Sequence, residues 1–224
     1  MNVLVVDIGG SNVKVLATGQ TDVRKIPSGP TMTPEAMVAG VKALTQDWAY
    51  EAVAIGYPGL VHRGVVTKEP YNLGPGWIGF DFEAAFGCPV RIINDAAMQA
   101  LGSYESGTML FLGLGTGLGS AMVVEGVVVP LELAHLPYKK GTYEHYLGKR
   151  ALERLDKKKW REYVETCVGH LTAALQLDDV VIGGGQIKLL KELPTGCRLG
   201  HNSNAFVGGF RLWEPGRERF SAAS

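Results

Sequence analysis

Val3-Leu4-Val5-Val6-Asp7-Ile8-Gly9-Gly10-Ser11-Asn12-Val13-Lys14-Val15-Leu16-Ala17 is the stretch on which the fold turns. Asn2–Val6 reads as a buried strand, Asp7-Ile8-Gly9-Gly10 as the turn that ends it, and Val13–Ala17 as the returning strand. The same pattern recurs downstream. Met109–Leu112 reads as a strand, Gly113-Leu114-Gly115-Thr116-Gly117-Leu118-Gly119 as its glycine-rich turn, and Ser120–Val124 as the strand after it. Two copies of strand, glycine turn and strand predict two similar α/β lobes facing a shared cleft. Strands mixed with helices fit sheets carrying helical layers. Ligands in such folds gather at the carboxyl ends of strands.

Working outward, Thr33-Pro34-Glu35 is a helix start, with Thr33 as N-cap, proline at the first helical position and an acid in the first turn; this helix is expected to reach Trp48. Ala52–Ile55 reads as a strand closed by Gly56-Tyr57-Pro58-Gly59. A short helix runs from Asp81 to Gly87. Pro89–Ile93 is the next strand, with Asn94-Asp95 at its carboxyl end, where a helix begins. Thr142–Leu155 and Lys159–Leu175 read as helices, the second with an apolar stripe of Trp160, Tyr163, Val164, Cys167, Val168, Leu171 and Leu175. Val180–Ile182 is a strand followed by Gly183-Gly184-Gly185 and a helix to Leu193. A last helix covers Asn204–Leu212, and the tail from Glu214 reads as polar and mobile. The expected lobes are 1–94 with 205–224, the smaller, and 95–204, the larger.

Composition narrows the function classes. Thirty of the 224 residues are glycine, about twice the ordinary share, without a collagen-like period. They mark tight turns and close approaches of backbone to a ligand. Lys plus Arg and Asp plus Glu are equal at 22 each, which removes the global basic field of a nucleic-acid or membrane-surface protein. Three scattered cysteines, Cys88, Cys167 and Cys197, make neither a disulfide framework nor a zinc pair, so a reducing cytoplasm is expected. No signal peptide and no membrane-spanning run is legible.

The polar residues that could carry chemistry cluster at strand ends. The first turn offers Asp7, Gly9, Gly10, Ser11, Asn12 and Lys14. Glycines let successive N–H groups point at one anion, and a Mg²⁺ would reconcile Asp7 with a phosphate there; a tight hairpin with a solvated Asp fits equally well. The turn with Gly115, Thr116 and Gly117 fits a phosphate nest better than a structural loop, although it matches neither the Walker nor the Rossmann spacing. Gly183 and Gly184 suit either the approach of a flat ring or a tight strand–helix turn. Asp95 could accept a proton from a hydroxyl oriented by Asn94, and either residue equally suits an N-cap. Glu132 and His135 could face a polar pocket and bind sugar hydroxyls, or lie on the surface. Glu144 sits at a helix start, where the helix dipole also favours an acid. Lys139–Arg161 is locally basic, and could guide a polyanion or form a solvated helix face. Cys167-x-x-His170 lacks partners of metal spacing, and Cys167, on the apolar stripe, reads as core.

Taken in order, these pieces resemble the ROK family of sugar kinases, within the actin-like ATPase superfamily. The matching stretches are Asp7-Ile8-Gly9-Gly10-Ser11-Asn12-Val13-Lys14, Gly56-Tyr57-Pro58-Gly59-Leu60-Val61, Asn72-Leu73 with Trp77, Asn94-Asp95-Ala96, Leu114-Gly115-Thr116-Gly117-Leu118-Gly119, Glu132-Leu133-Ala134-His135 and Val181-Ile182-Gly183-Gly184-Gly185. Trp160-Arg161-Glu162-Tyr163-Val164 resembles the polyphosphate-glucokinase branch. The resemblance implies a two-lobed, ribonuclease H-like α/β fold with a central cleft. It implies Asp95 as catalytic base, Asn94, Gly59, Glu132, His135 and Glu144 as sugar-binding residues, the two glycine turns as donor-phosphate loops and the triple glycine as the adenosine side. Asp7 corresponds to the residue near Mg²⁺, directly or through water. The implied reaction is phosphoryl transfer from ATP to a hexose hydroxyl, glucose 6-OH first. Inorganic polyphosphate as donor, a catalytically idle sugar sensor and a pantothenate kinase are the alternatives. A small-molecule sugar and donor are the expected partners, with a homodimer as a family expectation and no nucleic acid or membrane.

Two departures accompany the resemblance. The family's ExGH is Glu132-x-Ala134-His135 here, and the family's CxCGxxGC segment is missing between His135 and Glu144, so zinc is not expected. No helix-turn-helix extension precedes the first strand, which argues against the family's repressors.

Overall fold

A computed structural model describes residues 1–216. The chain divides into two compact units, Met1–Met98 joined by the segment that begins at Ala205, and Gln99–Asn204.

The first unit is built on a five-stranded sheet. Its strands are β1 (Val3–Ile8), β2 (Asn12–Ala17), β3 (Arg24–Pro27), β4 (Ala52–Tyr57) and, after the small β5 (Val61–His62) and β6 (Val65–Val66) hairpin, β7 (Val90–Asn94). The order is β3-β2-β1-β4-β7. β1 runs antiparallel to β2 and parallel to β4, and β4 parallel to β7. Helices α1 (Pro34–Leu44), α2 (Phe82–Phe86) and α3 (Asp95–Ser103) connect or follow the strands. β4 is buried along its whole length, as a parallel strand covered on both faces must be.

The second unit repeats this plan. It contains β8 (Thr108–Leu114), β9 (Leu118–Val124), β10 (Val127–Leu131), a hairpin of β11 (Pro137–Tyr138) and β12 (Gly141–Thr142), then α4 (Tyr143–Leu147), α5 (Lys149–Arg154), α6 (Lys157–Ala174), β13 (Asp179–Gly183) and β14 (Cys197–Leu199). The sheet order is β10-β9-β8-β13-β14, with the same sequence of antiparallel and parallel pairings as the first sheet. Helix α7 (Asn204–Arg211) leads back to the first unit.

Several local expectations are met by their physical cause. Thr33 caps α1 by accepting the Ala36 N–H at 3.3 Å, and Asp81 caps α2 by accepting the Ala84 N–H at 2.9 Å. Gly87 ends α2 at φ 78°, the left-handed region that glycine enters without a Cβ penalty. The stripe on α6 is core: Trp160, Val164, Cys167, Val168 and Leu171 are all buried.

Others are corrected. α1 stops at Leu44 rather than Trp48: Thr45 leaves helical geometry at φ −115° as the C-cap, its N–H making the last bond of the helix to the Val41 carbonyl and its hydroxyl donating to the same oxygen. The single helix expected over Thr142–Leu155 is two. Gly148 is extended between them, and the Lys149 N–H donates to the carbonyls of Gly115 and Thr116. The helix expected after Gly185 is one 3₁₀ turn over Ile187–Leu189, its entry drawn onto β8 by Gln186 N–H to Leu114 O at 2.9 Å. Asp7 and Ile8 belong to β1 rather than to its turn. The expectation of a mobile tail falls mainly on residues 217–224, which lie outside the described residues.

Candidate functional site

In the first unit, three parallel strands end side by side, and their carboxyl ends gather the polar residues. Asp7 pairs in register with Gly56, and Tyr57 with Asn94. Gly56 lets α3 begin close to β4: a Cβ there would strike the Met98 methyl and lie 3.6 Å from the Asp95 Cα. Asn94 carries the cap of α3, its Oδ1 accepting the N–H groups of Ala96 at 3.0 Å and Ala97 at 3.1 Å. Its amide donates to the Gly59 carbonyl at 3.1 Å, binding the ends of β4 and β7 together. Asp95 follows, half-buried, with Oδ1 accepting the Ala96 N–H at 2.8 Å. The capping role open to either residue therefore belongs chiefly to Asn94.

The first glycine turn is closed by Gly9 N–H to Asn12 O at 3.0 Å. Ser28 holds it from below, its hydroxyl donating to Gly9 O and its N–H to Ser11 O. Gly10 and Ser11 are exposed. Asn72 lies against Gly10, where a Cβ would meet Asn72 Cβ at 3.3 Å. Lys14 stands opposite Asp7 across β1 and β2, with Nζ 4.0 Å from the Asp7 carboxylate. Burial pushes the Asp7 carboxyl above its ordinary value, and the Lys14 charge pulls it part of the way back. A desolvated carboxylate of this kind gains from a second cation.

In the second unit, the glycine turn of Gly115, Thr116 and Gly117 joins β8 to β9, and the triple glycine starts with Gly183, the last residue of β13, the parallel neighbour of β8. The two loops are therefore adjacent. Gly184, at φ +90°, packs on the backbone of Leu114. Gly183 is buried and Gly185 exposed. Glu144 reaches the glycine turn from α4, its Oε2 accepting the Leu118 N–H at 3.4 Å, and a Cβ on Gly117 would land on that carboxylate.

Glu132 precedes a 3₁₀ turn over Leu133–His135, and His135 ends it. Buried Ser120 sets it: its hydroxyl donates to Leu131 O at 2.9 Å and accepts the Leu133 N–H at 3.1 Å. Both side chains are exposed, at 50% for Glu132 and 74% for His135, and stand 3.9 Å from each other. Ala134 is buried.

Sequence reasoning named the loop glycines but not what holds them. Ser28, Ser120 and Lys149 each make two hydrogen bonds to residues outside their own turn, which no spacing announces. Asn72 had a signal, the Asn72-Leu73 pair of the family pattern.

A cavity of about 330 Å³ in the first unit is lined by none of these residues but by Val65, Val66, Trp77, Phe80, Phe82 and Ile92 among others. Its acids are engaged in the fold: Asp81 caps α2, and Glu83 accepts the Val90 N–H. Among the described residues no three or more His, Cys, Asp or Glu are grouped to hold a metal ion, and no helix is long and apolar enough to cross a membrane.

Comparison with known proteins agrees with this fold. The polyphosphate glucokinase of Mycobacterium tuberculosis (strain CDC 1551 / Oshkosh) is 28% identical over 202 residues, covering 80% of this chain and 76% of that protein. The crystal structure of the inorganic polyphosphate/ATP-glucomannokinase from Arthrobacter sp. strain KM superposes with a TM-score of 0.79 at 25% identity, covering 93% of this chain and 96% of that one. A ROK family glucokinase from Streptomyces griseus, in complex with glucose and AMPPNP, superposes with a TM-score of 0.76 at 17% identity, covering 95% and 99%. The fold is that of the actin-like ATPase sugar kinases. The ROK family model matches residues 3–130, and with strand ends, glycine turns and duplicated sheets in that arrangement the chain belongs to the ROK family.

Proposed function

We propose that this sugar kinase transfers the terminal phosphoryl group of ATP to a hexose hydroxyl, glucose 6-OH before others. The observation that carries the reading is the division of labour at the end of β7. Asn94 takes the larger share of the N-cap and the grip on Gly59, accepting two backbone N–H groups where Asp95 accepts one.

Asp95 accepts the hydroxyl proton as the new oxygen–phosphorus bond forms and the bond to the departing diphosphate breaks. Asn94 orients the hydroxyl beside Gly59. Glu132, His135 and Glu144 take sugar hydroxyls, which suits exposed acids and an imidazole. Gly10, Ser11, Asn12 and Lys14, with Thr116 and Gly117, hold donor phosphate oxygens through N–H groups, hydroxyls and one ammonium, in turns that the N–H groups of Gly9 and Gly115 close. Gly183 and Gly184 take the adenosine side, where exposed Gly185 leaves room. Asp7 fits a Mg²⁺, directly or through water: its carboxyl is held up by burial, and Mg²⁺ takes one or two carboxylates together with phosphates and waters. The ion would offset charge on the phosphate oxygens. A homodimer and a cytoplasmic site complete the proposal.

A second reading, inorganic polyphosphate as donor, is favoured by one observation. Lys140, Lys149, Lys157 and Lys158 are exposed, and the Lys149 N–H is bonded to the Gly115–Thr116 turn itself. Glucose phosphorylation assayed with ATP and with polyphosphate separately decides between the donors. Asp95→Asn should lower kcat about a hundredfold to ten-thousandfold while the sugar KM stays within a few-fold. Near wild-type turnover in that variant would remove Asp95 from its role.

A further inference from the structure

Resting on the sugar-kinase reading above, we infer that Tyr138 is a positioning residue. Through a stack of aromatic rings it fixes the hairpin that joins His135 to Glu144, and so sets the placement of two sugar-contacting side chains.

The hairpin has little to hold it by itself. β11 and β12 pair only Pro137 with Thr142 and Tyr138 with Gly141, and two-stranded hairpins are marginal alone. Its turn includes Lys139 at φ 49°, a region that non-glycine residues enter at a cost. The hairpin therefore needs outside anchors.

Tyr138 supplies them. Its ring centroid lies 5.3 Å from Tyr143, 5.1 Å from Tyr146, 6.2 Å from Tyr163 and 6.0 Å from His170. The Tyr146, Tyr163 and His170 contacts are edge-to-face, the geometry aromatic quadrupoles favour. Tyr146 and Tyr163 pack on each other at 4.9 Å. The Lys139 ammonium sits 4.6 Å from the Tyr163 ring centre and holds the turn over α6. That helix is itself fixed to the end of α4 by Trp160 Nε1–H donating to Leu147 O at 3.0 Å.

The backbone on either side then follows. Tyr143 N–H donates to Leu136 O at 3.0 Å, and Thr142 N–H to His145 Nδ1 at 3.2 Å. Leu136 is the residue after His135 and Tyr143 the residue before Glu144, so this one bond ties the two site residues together. The resemblance places a zinc-binding segment in this interval of the family; here Leu136-Pro137-Tyr138-Lys139-Lys140-Gly141-Thr142-Tyr143 carries no cysteine. The ring stack acts as the staple.

The test compares Tyr138→Ala, Tyr138→Leu and Tyr138→Phe in the full chain, with sugar KM, donor KM, kcat and amide hydrogen exchange at Thr142 and Tyr143. The Ala and Leu variants should raise sugar KM about tenfold, the order expected from losing two or three ring pairs. Donor KM should stay within twofold, exchange at both amides should quicken, and Phe should restore wild-type behaviour. Should Ala fail to fold, Leu keeps the apolar contact without the ring and carries the comparison. An unchanged sugar KM, equal rises in sugar and donor KM, or a Phe variant as impaired as Leu would overturn the inference. If the wild-type chain turns over no sugar, the kinase reading fails by itself. The exchange measurement then still decides whether Tyr138 holds the hairpin, with unchanged exchange in Leu refuting it.

Discussion

Gly184→Ala should destabilise the second unit severely, while Gly185→Ala one residue on should not. Gly184 has φ +90°, and a left-handed conformation costs a non-glycine residue roughly 1–2 kcal/mol. The added Cβ would also lie 2.6 Å from Leu114 C and 2.7 Å from Leu114 N. These are backbone atoms of β8, held by β13 on one side and by β9 on the other, so they cannot retreat as a side chain would. Overpacking against such a neighbour adds about 1–3 kcal/mol. The sum, about 2–5 kcal/mol, corresponds to a Tm lower by roughly 5–15 °C for a chain of this length. Gln186 N–H to Leu114 O and Ile187 N–H to Gly184 O would be strained with it. At Gly185 a Cβ meets nothing within 4 Å, and alanine should stabilise by up to about 1 kcal/mol through the unfolded chain. Thermal unfolding of both variants beside the wild type, followed by circular dichroism, checks the contrast. A Gly184→Ala protein melting with the wild type, or equal losses in the two variants, would refute the reasoning.

Further predictions come from single contacts. Gly117→Ala should displace the flexible Glu144 carboxylate rather than the fold. Losing the Leu118 N–H bond should raise sugar KM about 5–30-fold at a nearly unchanged Tm, read by steady-state kinetics and a melt. Burial raises the Asp7 carboxyl above 3.8 in the folded state, so the folded chain holds that proton more tightly than the unfolded one. The stability from this group is present below its unfolded pKa and lost as pH rises through the folded value. At pH 7 without divalent cation, Asp7→Asn should therefore raise Tm, and the gain should fade as pH falls toward 3.8. Added Mg²⁺ should stabilise the wild type and not the variant. Trp160→Phe removes the bond to the Leu147 carbonyl and should cost about 1–3 kcal/mol, measured by urea unfolding.

What was legible in the chain was local. Val3–Val6 and Met109–Leu112 are apolar runs interrupted by dense glycine, and that punctuation alone marks the paired strands of both units. Thr33-Pro34-Glu35 and Asp81 with Gly87 carry their caps within one turn of the helices they bound. Asn94-Asp95 could be placed at a strand end and a helix start, though which of the two takes the cap depended on the distance from Asn94 Oδ1 to the Ala97 N–H. The edge strands β3 and β14 were not foreseen, because a four- or three-residue strand is defined by the neighbour it pairs with rather than by its own pattern.

Sequence by itself determined the duplicated α/β plan, the glycine turns, the helix starts and the candidate carboxylates. Each depends on residues within a few positions of one another, where sterics and capping act directly. Tertiary structure alone decided that Gly148 splits a helix, that the chain after Gly185 makes one tight turn, that Glu144 lies against Gly117, and that tyrosines from a hairpin and two helices stack. In each case the deciding partner is far along the chain: Thr116 for Lys149, Leu114 for Gln186, Leu118 for Glu144, Tyr163 for Tyr138. Such contacts form only once the sheet has brought their strands together, and no local propensity encodes them.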